Sequence, residues 1–163
     1  MLMAPAPVEG GSYIFGSDYS WSLSHDPGAI SYCATYDLCD IEYVIDVDSE
    51  EDDDSSGKCF DFGSIGYESP PWTVTFDMGA DFTFDQWRIK SHGTYAAGDM
   101  VLQYYDDSSS SFVDVSGSSI SGTETSGWQE SSSFTSVTAS KWRVYISSYY
   151  HNWQLYVCEV QVS

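Results

Sequence analysis

The sequence predicts an all-β protein, an antiparallel β-sandwich or jelly roll, and three observations point to it. Several short segments alternate apolar and polar residues, which is the period of a strand with one buried face. No segment has an apolar period near 3.6 residues, which an amphipathic helix would require. Ser- and Gly-rich turns separate the alternating segments, as is typical of sandwiches and jelly rolls.

Six segments from residue 72 onward are predicted strands, and residues 72–77, 86–90 and 141–146 have the alternation of a half-buried strand. In one of them, Trp87 and Ile89 are predicted to point inward and their charged neighbours outward. A turn at residues 106–108 predicts that the third and fourth segments form a hairpin. The predicted strands cover residues 72–77, 86–90, 100–105, 112–115, 141–146 and 153–162.

The length of 163 residues fits one domain that buries roughly 70% of its unfolded surface. Residues 1–12 are rich in Pro and Gly and predict an N-terminal arm, which leaves residues 13–163 as a single domain. The run 108–136 is rich in serine, but Phe112 and Trp128 interrupt it. We therefore expect strands with long loops there rather than a disordered linker.

The charge balance excludes several classes of partner. Five Lys and Arg against 25 Asp and Glu give a formal net charge of −20. A basic patch for phosphates is therefore not expected, and neither nucleic acid nor an anionic membrane is an expected partner.

No apolar run has the length of a membrane span. Residues 1–7 lack the features of a signal peptide, so we expect a removed leader or another route of export, such as release of virus particles.

The four cysteines predict an oxidising environment. Their spacing matches neither paired zinc-binding C-x-x-C motifs nor a redox C-x-x-C motif. Two disulfides are the better interpretation, and they place the protein outside the reducing cytosol. The cysteines are Cys33, Cys39, Cys59 and Cys158.

Signatures of enzymes are missing from the sequence. It contains no G-x-S-x-G, no H-E-x-x-H, no phosphate-binding loop and no dinucleotide-binding fingerprint. The three histidines are scattered, and the many carboxylates cluster where they would repel one another and stay ionised. We therefore expect a protein that is not an enzyme.

Residues 46–54 contain seven acids in nine positions and must form a loop, because such dense like charge does not pack in a core. Calcium prefers six to eight oxygen ligands of this kind. The spacing is not that of an EF-hand, since Glu51 stands where a glycine is required and Gly57 where a glutamate is required. Two interpretations remain: a solvated loop, or a calcium loop completed by residues from elsewhere in the chain.

The order of several segments resembles the discoidin or coagulation-factor-type C domain. They are residues 70–79, 86–89, 101–107 and 139–146. The last segment, residues 155–162, is similar to the closing Leu-Cys-Glu-Val-Glu-Val motif of the fucolectins in that superfamily. The resemblance covers roughly residues 43–162 and implies a galactose-binding-like jelly roll.

The same resemblance implies a calcium site and a disulfide pattern. Side-chain oxygens would come from Asp46 and Glu159, although Val47 replaces the glycine of the family's loop and Lys58 replaces its serine. Backbone carbonyls would come from Tyr43, Asp48, Lys58 and Cys158. The implied disulfides are Cys59–Cys158 and, across a short turn, Cys33–Cys39.

The sugar-binding residues of the fucolectins are not retained. The family uses a histidine and two arginines, and the matching positions here hold Asp61, His92 and either Gly98 or Asp99. Fucose is therefore not expected to be the preferred ligand, because the planar guanidinium donors are missing. Acidic, imidazole and aromatic side chains near the expected rim are the candidate ligand-binding residues: Asp61, His92, Tyr95, Tyr149, His151 and Trp153.

Two functions follow from these observations. We expect a calcium-stabilised carbohydrate-binding or adhesion module on an extracellular or virion surface, with a glycan or glycoprotein as its partner. The alternative is a structural or decorating module that binds other subunits of a virion or extracellular assembly and no sugar. Calcium would stabilise loops in both.

Overall fold

The computed structural model describes residues 22–26, 59–64, 70–125, 127–150 and 154–163. These residues form ten β-strands, and among them no helix is long and apolar enough to cross a membrane. The strands are β1 Ser22–Asp26, β2 Phe60–Ser64, β3 Trp72–Phe84, β4 Trp87–Ser91, β5 Asp99–Asp106, β6 Ser111–Asp114, β7 Ile120–Ser121, β8 Trp128–Glu130, β9 Val137–Ile146 and β10 Gln154–Val162. The predicted arm, residues 1–12, lies outside the described ranges.

The strands form two antiparallel sheets. In the six-stranded sheet the order is β1-β3-β9-β5-β6, with β7 also paired to β5. The four-stranded sheet has the order β2-β10-β4-β8. One hydrophobic core contains residues from both sheets, so the sheets pack face to face and the predicted all-β sandwich is confirmed.

Three tryptophans occupy the centre of the core, each at most 1% exposed: Trp72, Trp87 and Trp142. Two of the indoles donate to backbone carbonyls, Trp87 Nε1 to Ser118 O at 2.6 Å and Trp142 Nε1 to Ala139 O at 2.9 Å. These bonds let large apolar rings be buried without an unsatisfied donor. The first bond also joins β4 to the loop between β6 and β7, whereas the second lies within β9.

Two strands are longer than the segments that the sequence predicts. Strand β3 continues beyond the predicted Asp77 to Phe84, and its register against β9 shifts between Asp77 and Phe82. Gly79 has a positive φ of 67° in that interval, which a glycine adopts without strain. Strand β9 begins at Val137 rather than at residue 141, because residues 137–139 pair with the far end of β3.

The edge of β5 changes partner along its length. Strand β6 pairs with residues 103–106 and β7 with residues 99–100. Ser118 lies between these two pairings and is fully buried. Its hydroxyl accepts from Leu102 N at 3.1 Å and donates to Leu102 O or Val115 O. The serine side chain thus accepts the bond from Leu102 N that a strand partner would accept, and the β-pairing along this edge is interrupted at this point.

Candidate functional site

A disulfide links the start of β2 to the closing strand β10. Cys59 and Cys158 are bonded across a sequence separation of 99 residues. Both cysteines are buried, at 0% and 5% exposure. This is the pairing that the fucolectin resemblance implies. The second implied pair, Cys33–Cys39, lies outside the described residues.

Three aromatic rings meet beside this disulfide, and we call them the rim cluster: His92, Tyr95 and Tyr156. The ring centroids lie 5.1 Å apart for His92 and Tyr95, 5.5 Å for His92 and Tyr156, and 5.3 Å for Tyr95 and Tyr156. The turn after β4 positions the first two rings, and β10 positions the third. Backbone bonds from Tyr156 N to Tyr95 O and from His92 N to Tyr156 O hold the two segments together, at 3.1 and 3.4 Å.

The rim cluster is partly open to solvent. His92 and Tyr95 are partly exposed, whereas Tyr156 is 9% exposed and packs with Cys59 and Cys158. The amide of Thr94 donates to His92 Nδ1 at 3.2 Å, which orients the imidazole ring. Partly exposed aromatic rings beside a polar ring nitrogen are suited to the apolar face and the hydroxyl groups of a sugar.

Of the other predicted ligand residues, the structure describes Tyr149 and the backbone of Asp61. Tyr149 packs edge-on against Trp72 with a centroid distance of 5.3 Å and borders the hydrophobic core. The backbone of Asp61 lies opposite Tyr156 in the β2–β10 pairing, and its side chain is outside the described structure. His151 and Trp153 lie outside the described residues.

Glu159, the predicted calcium ligand on β10, is buried with 2% exposure. Gln161 Nε2 donates to Glu159 Oε1 at 2.5 Å, and Arg88 Nε donates to Gln161 Oε1 at 2.7 Å. Arg88 also packs over the Trp128 ring at 4.2 Å. We call Arg88, Gln161 and Glu159 the buried triad. Lys90 lies directly opposite Glu159 in the β4–β10 register and is 7% exposed.

The remaining predicted calcium ligands lie outside the described residues: Tyr43, Asp46, Asp48 and Lys58. The part of the chain that the structure describes contains no group of three or more His, Cys, Asp and Glu side chains able to hold a metal ion. Within it, the carboxylate of Glu159, which accepts from Gln161, and the backbone carbonyl of Cys158 are oxygen donors of the kind that calcium prefers. The calcium site stays a prediction.

Sequence reasoning missed Tyr156, Gln161 and Arg88. Alternation along β10 is the signal that could have found the first, because Leu155 and Val157 belong to the core and Tyr156 between them must face the other way. The bond from Arg88 to Gln161 joins residues 73 positions apart. Only the pairing of β4 with β10 places these two side chains together.

Comparison with known proteins finds similar folds among solved structures. No family model matches the chain, and no curated protein matches it in sequence. Among solved structures, CpGH89CBM32-5 of Clostridium perfringens, in complex with GalNAc-β-1,3-galactose, is similar with a TM-score of 0.68 and 11% identity. The likeness covers 93% of this chain and 99% of that one.

Two further structures are similar over comparable lengths. The family 32 carbohydrate-binding module of C. perfringens NanJ, in complex with galactose, has a TM-score of 0.65 at 10% identity, with 87% of this chain and 92% of that one covered. The chitosan-binding module 1 of a Paenibacillus sp. IK-5 chitosanase/glucanase has a TM-score of 0.62 at 14% identity, with 89% and 96% covered. At these identities the likeness shows the fold, which is the expected discoidin-like, galactose-binding-like sandwich.

Proposed function

We propose that this chain is a calcium-stabilised carbohydrate-binding module that attaches to a glycan or glycoprotein at an extracellular or virion surface. The proposal depends above all on the rim cluster, in which the partly exposed His92 and Tyr95 rings stack 5.1 Å apart. Similar folds in complex with galactose or GalNAc-β-1,3-galactose support it. The Cys59–Cys158 disulfide supports a location outside the reducing cytosol.

The rim would hold a sugar by stacking and by hydrogen bonds. One ring face of the sugar would lie on Tyr95 or His92, and its hydroxyls would meet the imidazole and nearby backbone groups. Because the rings are already held by the disulfide and by the β10 backbone, little conformational entropy is lost on binding. This rigidity favours a small, shape-dependent ligand.

The charge and the missing arginines define the kind of sugar. A protein with a net charge of −20 repels sialic and sulfated sugars unless calcium bridges them, so neutral or amino sugars are favoured. Fucose is disfavoured because no arginine occupies the positions of the fucolectin donors. Gly98 is one of the two positions that match the second fucolectin arginine. A Cβ atom there would collide with Ser148 Oγ, so this turn has no space for a longer side chain.

A glycan array in calcium buffer, followed by calorimetry with fucose, galactose and N-acetylglucosamine, tests sugar binding. We expect saturable binding of a neutral or amino sugar, and Tyr95→Ala to weaken it by about tenfold through loss of stacking. Tyr105→Ala, which removes a half-buried tyrosine from the six-stranded sheet, is the matched control and leaves the affinity unchanged. Silence across the array supports the structural module instead. Fucose-selective binding overturns the alignment with the fucolectin site.

Calcium is tested separately by thermal unfolding in EDTA and in calcium. A ligand at a hundredfold excess over its Kd stabilises by about 2.7 kcal/mol, which corresponds to a difference of several degrees in Tm. Glu159→Gln is expected to shrink this difference. Glu130→Gln, an exposed carboxylate 3.8 Å from Arg88, is the control and leaves it intact. Equal Tm values in both buffers mean that the acidic run is a solvated loop.

A further inference from the structure

The outer face of the six-stranded sheet contains a cleft whose lining includes no residue of the rim cluster. Its volume is about 550 Å³, within the range of small-molecule sites, and it is open to solvent. It lies over β5 where the edge partner changes from β6 to β7. The residues that matter most are Asp99, Val101, Gln103, Asp114, Ser121 and Tyr145.

The middle of the cleft is formed by Val101 and Tyr145. These two residues lie directly opposite each other in the β5–β9 pairing, and both are partly exposed. Their neighbours Met100, Leu102 and Val144 point into the core, so Val101 and Tyr145 face outward. An apolar floor beside an aromatic ring is suited to the C–H face of a sugar.

One end of the cleft presents the carboxylate of Asp99. Ser121 Oγ donates to Asp99 Oδ1 at 3.0 Å, and Ser148 Oγ lies 3.3 Å from Asp99 Oδ2. The backbone is packed closely here, since a Cβ on Gly122 would collide with Ala97 O. The exposed carboxylate is therefore held in one position by its neighbours.

The other end presents the carboxylate of Asp114. Arg143 Nε donates to Gln103 Oε1 at 2.5 Å, and Gln103 Nε2 donates to Asp114 Oδ1 at 2.5 Å. The Arg143 guanidinium packs over the Phe112 ring at 4.1 Å. We call Arg143, Gln103 and Asp114 the open triad, because Asp114 is exposed to solvent.

The two ends define the charge and the length of a ligand. Asp99 and Gln103 are four residues apart along β5, about 13 Å of strand. Of the described residues that line the cleft, two are carboxylates and none is Lys or Arg. The cleft therefore has a carboxylate at each end and an apolar and aromatic middle. The Arg143 guanidinium lies beside it, bonded to Gln103 and 5.7 Å from the centroid of the Tyr145 ring, so the Asp99 end is the more negative of the two.

We infer that this cleft is a second glycan site, separate from the rim, which binds an oligosaccharide that bears ammonium groups. A short chain of glucosamine units has the required chemistry. Its amines pair with Asp99 and Asp114, a pyranose ring stacks on Tyr145, and its hydroxyls bond to Ser121 and the other serines. A ligand that pairs with both carboxylates must be extended, and this requirement distinguishes the oligosaccharide from a single cation.

Titration of the intact protein with glucosamine tetramer, at a pH where its amines are protonated, tests this inference by calorimetry and by NMR shifts. We expect binding that Asp99→Asn/Asp114→Asn weakens by about tenfold. The control Asp81→Asn/Asp107→Asn removes the same charge from two exposed positions outside the cleft and leaves the affinity unchanged. Tyr145→Ala abolishes binding, while Tyr145→Phe keeps the ring and restores it.

Three comparisons decide against the inference. Equal weakening by the cleft and control variants means non-specific attraction to the negative protein. Equal affinity for the N-acetylated tetramer, or for a lysine tetrapeptide, means that amino-sugar recognition is wrong. Loss of tetramer binding in Tyr95→Ala assigns the glycan to the rim, and this supports the proposed function while overturning the cleft. If the tetramer binds at the cleft and no sugar binds at the rim, the inference about the cleft is supported and the proposed function of the rim is overturned.

Discussion

The outer face of each sheet contains a triad of an arginine, a glutamine and a carboxylate. The carboxylate is buried on the four-stranded sheet and exposed on the six-stranded sheet. In each triad an arginine Nε donates to a glutamine, whose amide donates to a carboxylate. The distances are 2.7 and 2.5 Å in the buried triad, and 2.5 and 2.5 Å in the open triad. In each, the guanidinium packs over an aromatic ring, Trp128 at 4.2 Å or Phe112 at 4.1 Å.

The difference lies in the solvation of the carboxylate. Glu159 is 2% exposed, whereas Asp114 is exposed. A buried carboxylate must keep its hydrogen-bond partners, because leaving it unsatisfied carries a large desolvation penalty. An exposed one can exchange a protein partner for water or a ligand at little cost. The same bonding pattern therefore stabilises the fold on one sheet and can present a fixed charge on the other.

The largest expected effect concerns the disulfide beside the buried triad. Replacing both cysteines, Cys59→Ser/Cys158→Ser, frees a loop of about 100 residues and is expected to lower the free energy of unfolding by up to about 4–5 kcal/mol. Urea denaturation measures the loss. Amide exchange should increase more in β2 and β10 than in β5 and β9, because the disulfide joins the first pair. Equal increases in both sheets would contradict this assignment.

The second prediction compares the two glutamines directly. Gln161→Leu removes the hydrogen bonds that Gln161 makes with Arg88 and with the buried carboxylate of Glu159, and we expect a loss of about 3 kcal/mol. Gln103→Leu removes the same two bonds from Arg143 and Asp114, where water can replace them, and we expect about 1 kcal/mol. Urea denaturation of both variants makes the comparison. Equal losses would mean that carboxylate burial does not distinguish the triads.

The smallest effect is expected at an ion pair on the six-stranded sheet, Lys141 Nζ to Asp77 Oδ2 at 2.9 Å. The hydrogen bond from Lys141 holds the pKa of Asp77 below its usual value, and the same bond raises the pKa of Lys141. The stabilisation is therefore present between about pH 4 and pH 10. It is lost as the pH falls through the lowered pKa of Asp77 or rises through the raised pKa of Lys141.

Both partners are more than a third exposed, so solvent screening limits the coupling to less than about 1 kcal/mol. A double-mutant cycle with Asp77→Asn and Lys141→Met, measured by urea denaturation at several pH values, determines it. We expect the coupling to disappear in acid and to weaken in high salt. A coupling as large as the effect of Gln161→Leu would show that this face is less hydrated than its exposure indicates.

Strand positions were largely predictable because alternation depends on local residues. Residues 86–90 and 141–146 alternate, and β4 and β9 contain nearly all of them. Strand β2 was not predicted, since Phe60–Ser64 is short and contains a glycine. The early start of β9 was missed because Val137 pairs with Phe84, which lies 53 residues earlier. Strand ends depend on a partner strand, and a single segment contains no information about it.

The candidate sites were less predictable. His92 and Tyr95 are close in sequence, so an aromatic rim was within reach of sequence reasoning. Tyr149, predicted for the same rim, packs edge-on against Trp72 and pairs through its backbone with Ala97, and its role in binding stays a prediction. The cleft was not found at all, because its two carboxylates belong to the separate strands β5 and β6 and its tyrosine to β9.

The sequence by itself determined the all-β class, the inward tryptophans, the negative charge and, through a family resemblance, the Cys59–Cys158 pair. These properties depend on composition, on a two-residue period or on a recognisable ordered set of segments. Tertiary structure alone decided which glutamine meets which arginine, across 73 residues for Gln161 and 40 for Gln103. It also decided which carboxylate is buried. Hydrogen bonding and desolvation act through space, so chemically similar side chains acquire different roles only when the sheets have paired and packed.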